Sequence, residues 1–137
     1  LAVAFQQFNI QSPSDFDALA SALPDCYAPE EVIEQLKEGL DERCACIIVE
    51  SFYVDKDYRS TYYNYYAKKG YRYESNCIRL HFFDRAVELR DYALRIGLTD
   101  ILYQQHREFI AWSPPDLGGL GMGLMSEVQA VCSPVMS

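Results

Sequence analysis

A chain of 137 residues, half of them apolar and about a quarter charged, suits one folded domain whose core needs no disulfide or metal staples. Its formal charge of −8 argues against general nucleic-acid binding by the whole surface. The longest apolar run, 44–49, is too short to span a bilayer, and five cysteines without paired spacing fit reduced thiols in a cytoplasmic setting better than a secreted disulfide framework. The chain opens on Leu without a signal-peptide pattern and is expected to be a piece of a longer protein.

Residues 1–10 are apolar with Gln interruptions, as in an edge strand or a frayed arm. Ser12-Pro13-Ser14-Asp15 then reads as a helix start, with Ser12 as cap and Pro13 in the first turn. Phe16, Leu19, Ala20 and Leu23 follow at helical spacing, up to Pro24. A second helix starts at Ala28-Pro29-Glu30-Glu31, with Val32, Ile33, Leu36 and Leu40 as its apolar stripe. Residues 44–54, a continuous, β-branched and aromatic stretch, predict a strand whose centre is buried on both faces. Residues 58–69, closed by Gly70, read as a helix.

A second strand is expected over 77–83, with Ile78, Leu80 and Phe82 on one face and Cys77, Arg79, His81 and Phe83 on the other. Asp84 is placed to cap a helix over 85–96. Residues 99–112 fit helix or strand equally, and Ser113-Pro114-Pro115 breaks either. Domain organisation follows: a single globular domain over 1–115, then a Gly-rich linker and short C-terminal segment over 116–137. The fold class is α/β or α+β, with a small sheet of at least two strands (44–54 and 77–83) and three to five helices. A strand–helix–strand unit over 44–83 would be a right-handed parallel crossover.

Eight of eleven tyrosines fall between Tyr53 and Tyr73, and nine of twelve bases fall between Lys56 and Arg95. Tyr58, Tyr62, Tyr65 and Tyr66 share one helical face and are expected to pack on the sheet. Arg59, Tyr63, Lys69, Tyr71, Arg72 and Tyr73, with Arg79 and His81, remain as a surface for a protein or peptide partner, or for an anionic ligand. Carboxylates after the first strong strand offer a second reading. Glu50, Asp55 and Asp57 would converge as metal ligands of a nuclease or phosphoryl-transfer site, although Asp55 or Asp57 equally suits a helix cap.

His81 is expected to be a buried or rim histidine bonded to backbone, and His106 to sit on an exposed helix face. No cofactor or metal spacing stands out, since Cys44 and Cys46 lack a second pair and the Gly119/Gly121/Gly123 run lacks a phosphate-loop context. A third reading, an acidic inhibitor or nucleic-acid mimic, rests on nine acids against one base over 13–42.

The string from Glu50 through Tyr53, Asp55, Asp57, Tyr58, Arg59, Tyr62, Tyr65 and Tyr66 to Arg79, His81 and Phe83 resembles the N-terminal part of uncharacterised bacterial proteins. Those proteins carry a papain-like peptidase segment downstream. The resemblance is confined to 50–83 and implies a bacterial, cytoplasmic, multi-domain context. It carries over no catalytic residue, because only Cys132 follows Phe83 among the cysteines. The leading expectation is therefore a non-catalytic recognition or regulatory module.

Overall fold

The computed structural model describes residues 2–26, 28–40, 43–54, 75–98 and 106–132. It is an α+β fold built on a four-stranded mixed sheet. In chain order the described elements are β1 (Ala2–Gln7), α1 (Pro13–Ser21), α2 (Pro29–Gly39), β2 (Cys44–Val54) and β3 (Ser75–Asp84). These are followed by α3 (Leu89–Leu98), β4 (Glu108–Ser113), a 3-10 turn (Pro115–Leu117) and α4 (Gly118–Cys132). Strand order is β1-β4-β2-β3.

The central strand β2 explains the apolar run at its head. It pairs antiparallel with β3 on one side and with β4 on the other, and helices cover both faces. On one face Cys46, Ile48, Phe83, Phe109 and Ala111 pack against Tyr92, Ala93 and Ile96 of α3 and Leu124, Met125 and Val128 of α4. On the other face Ile47, Val49 and Trp112 pack against Leu19 of α1 and Leu36 of α2. Residues 45–50 are buried without interruption, as a strand covered on both faces requires.

The alternation read from the sequence for β3 holds. Ile78, Leu80 and Phe82 join the α1/α2 side, and Phe83 joins the α3/α4 side. The expected parallel crossover is not found. Cys44 pairs with Asp84 and Val54 with Ser75, so β2 and β3 run antiparallel. The parallel pairing in the sheet is between β1 and β4, which makes the N-terminal segment an edge strand. The helix expected over 58–69 lies outside the described residues.

Local signals account for the helix ends. Asp15 Oδ2 accepts hydrogen bonds from the backbone N–H groups of Gln11 and Ser12 and from the Ser12 hydroxyl, which fixes the entry to α1. Asp84 does not open a long helix. Its Oδ1 accepts from Ala86 N–H at 2.7 Å in a turn, and α3 begins only at Leu89. The ambiguous region resolves in part as strand over Glu108–Ser113.

The largest correction is at the C-terminus. The Gly-rich run expected to be a linker is the first half of α4, and it packs into the core. A β-carbon at Gly121 would lie 2.6 Å from Phe5 and 2.9 Å from the Ser113 hydroxyl, so glycine there lets the helix approach the sheet closely. Composition favoured a linker because isolated glycines disfavour helix; tertiary packing reverses that preference.

Candidate functional site

Glu50 lies mid-way along β2 on the α3/α4 face, where a carboxylate is costly to bury unless it is paired. It is 1% exposed. Cross-strand register brings its partners. Glu50 stands opposite Arg79 of β3 and Phe109 of β4. His81 lies two residues beyond Arg79 on the same face of β3. Arg107 precedes β4 and lies two residues before Phe109, so the same alternation sends it to that face.

The carboxylate accepts from all three side chains. Arg107 Nε donates to Oε2 at 2.6 Å. His81 Nε2 and Arg79 Nη1 donate to Oε1 at 2.9 Å and 3.3 Å. An ionised carboxylate only accepts, so the His81 ring proton resides on Nε2. Burial by itself pushes the Glu50 carboxyl up. The hydrogen bond from His81 and the guanidiniums of Arg107 and Arg79 outweigh that effect and hold it below the usual carboxylate range.

Arg107 has a second task. Its Nη2 donates to the Ile96 carbonyl at 2.6 Å and its Nη1 to the Gly97 carbonyl at 3.1 Å. These carbonyls belong to the last turn of α3, which has no intrahelical donors for them. One buried guanidinium thus joins the sheet to a helix end. Exposure rises outward through the cluster, from 0% for the Arg107 side chain to 12% for His81 and 30% for Arg79. The Arg79 guanidinium also lies 5.0 Å from the centre of the Phe52 ring.

The structure therefore brings together Glu50, Arg79 and His81, which the sequence placed in two competing sites, and adds Arg107. His81 is bonded to a carboxylate and not to backbone. Asp55, Asp57, Arg59, Tyr63, Lys69, Tyr71, Arg72 and Tyr73 lie outside the described residues. Arg107 was missed because Gln104-Gln105-His106-Arg107 resembles a polar helix face. The available signal was its position two residues before a buried strand residue. His106 is exposed, with its ring 6.2 Å from that of Tyr53.

Chemically the cluster is an ionic tie. A carboxylate already bonded to two guanidiniums and an imidazole is a poor general base, and a cation approaching it meets two fixed positive charges. No group of three His, Cys, Asp or Glu side chains suited to a metal is present among the described residues. Along α2, Glu30, Glu31, Glu34 and Glu38 line one exposed acidic face. No helix among the described residues is long and apolar enough to cross a membrane. No protein-family model, curated protein or solved structure matches the chain.

Proposed function

We propose that this chain is a non-catalytic recognition or regulatory module of a larger bacterial, cytoplasmic protein. It binds a protein or peptide partner through the Tyr/Arg/Lys surface to which Arg79 and His81 belong. The observation that carries this reading is the graded cluster across β2 and β3: Glu50 of β2 anchors Arg79 and His81 of β3 while Arg79 keeps 30% of its side chain exposed. Holding an arginine in one orientation lowers the entropy lost when it engages an acidic group. In this reading Glu50 is a positioning residue, and the metal-dependent alternative loses its first ligand to the two arginines.

The test is selection from a random peptide library displayed on phage. Enriched peptides should carry Asp or Glu, and Arg79→Ala or a combined Arg59→Ala/Tyr63→Ala/Lys69→Ala variant should weaken capture by about tenfold or more, as loss of an interface anchor does. Failure to enrich any sequence, or capture indifferent to both variants, would sink the proposal.

A further inference from the structure

One edge of the sheet is formed by a strand without charge. Among the described residues β1 pairs on one side only, with β4. That register is unbroken from Ala2 to Gln7, and Phe8 N–H donates to the Ser113 carbonyl at 2.8 Å. Backbone groups of successive strand residues turn to opposite sides, so Ala4 and Gln6, like Phe8, bond toward β4. The N–H and C=O groups of Val3, Phe5 and Gln7 therefore point outward, where no described strand meets them. Edge strands are ordinarily blunted by a charge, a proline or a bulge. Here the first proline is Pro13, the first charged residue is Asp15, and β1 carries no bulge. The opposite edge strand, β3, carries Arg79, His81 and Asp84.

We infer that two copies of this chain associate through β1, antiparallel, about a two-fold axis at Phe5. The axis sets Phe5 opposite Phe5 and Val3 opposite Gln7, and each such pair exchanges two backbone hydrogen bonds. The outward groups are symmetric about Phe5, so this contact closes on itself, whereas β1 against β3 would propagate into an open filament. Charge favours the same edge. Each copy carries −8, but the acidic helix α2 lies over β3, with Leu36 in the cluster of Ile78, Leu80 and Phe82. Pairing at β1 therefore keeps the two acidic helices at the far ends of the joined sheet. Apolar surface flanks the edge as well. On α4, a β-carbon added at Gly118 would lie 2.8 Å from Gln7 Nε2, and Met122, one turn on, is 59% exposed. The side of α4 that meets α3 is a different one, where Glu127 pairs with Arg90. A strand pair with this flank falls below the ~1,200 Å² of stable interfaces, which sets the affinity at roughly 10–100 µM.

Sedimentation velocity of the chain from about 5 to 500 µM should show the mass rising from one copy toward two. Gln7→Pro removes an outward donor from each copy and leaves the bonds to β4 in place, so it should weaken association by about tenfold or more. Amide exchange read by proton–nitrogen spectra identifies the face. Val3, Phe5 and Gln7 should exchange about twofold more slowly at ~500 µM than at ~50 µM, while Ala4 and Gln6 stay unchanged. If Gln7→Pro fails to fold, these amides in the parent chain decide the matter. A mass of one copy throughout overturns the inference. So does association that leaves the three outward amides unmoved, which assigns it to another face. Full protection of those amides at the lowest concentration also overturns it, because a segment of the same chain then covers the edge.

Discussion

Replacing Arg107 by Met keeps the length of the side chain and removes its charge. Three hydrogen bonds disappear, to Glu50 Oε2 and to the carbonyls of Ile96 and Gly97. Removing one partner of a buried ion pair costs about 3–5 kcal/mol, because the other charge is left uncompensated. Glu50 keeps His81 and Arg79, which lowers that figure. The two helix-end carbonyls raise it again by ~1–3 kcal/mol each where water cannot reach them. Taken together the loss should be about 3–5 kcal/mol, a large share of the roughly 5–15 kcal/mol that a domain commands.

At ~4 °C per kcal/mol for a chain of this size, the melting temperature should fall by about 12–20 °C. Urea denaturation followed by circular dichroism gives the free energy directly. The double variant Arg107→Met/Glu50→Leu should lose less than the sum of the two single variants, by ~1 kcal/mol or more, since no bare carboxylate remains. A single variant melting within about 3 °C of the parent, or strict additivity in the double variant, would refute the argument.

Because the Glu50 carboxyl is depressed in the folded state, its stabilising contribution is full above the unfolded value of ~4.3 and is lost as pH falls through the lower folded value. Melting temperatures from pH 7 down to pH 2.5 should therefore drop less steeply below about pH 4.3 in Glu50→Gln than in the parent. Gly121→Ala should cost about 1–3 kcal/mol, since the new methyl meets Phe5 and Ser113, whereas Gly119→Ala, with nothing within 4 Å, should leave stability unchanged or raise it by up to ~1 kcal/mol. The Cys46 thiol, pushed up to about 12 by burial and by the neighbouring Cys44, should resist iodoacetamide at pH 8 until the protein is unfolded, as mass spectrometry of the modified peptide would report.

What the sequence disclosed is what depends on local period. The alternation in β3 placed Arg79 and His81 on one face, and the apolar run of β2 announced a strand covered on both sides. Both survive because side-chain direction in a strand is a property of the backbone itself. What depends on pairing was not legible. Nothing local says that Glu50 stands opposite Arg79 or that Arg107 arrives from beyond α3, because register is set by contacts 29 and 57 residues apart. The glycines of α4 misled for a related reason. Their low helix propensity is a local fact, and the tight approach of the helix to Phe5 and Ser113 that requires Gly121 is not.

Whether Glu50 is an internal anchor for the arginines and His81, and not a metal-binding or proton-transferring group, can be read at its carboxyl carbon. Its NMR signal, assigned by comparison with Glu50→Gln, can be followed against pH and against added Mg²⁺. A carboxylate that stays ionised below ~4.3, and whose signal ignores millimolar Mg²⁺, is the expected result. Titration at or above the ordinary glutamate value, or a saturable shift with Mg²⁺, would contradict it.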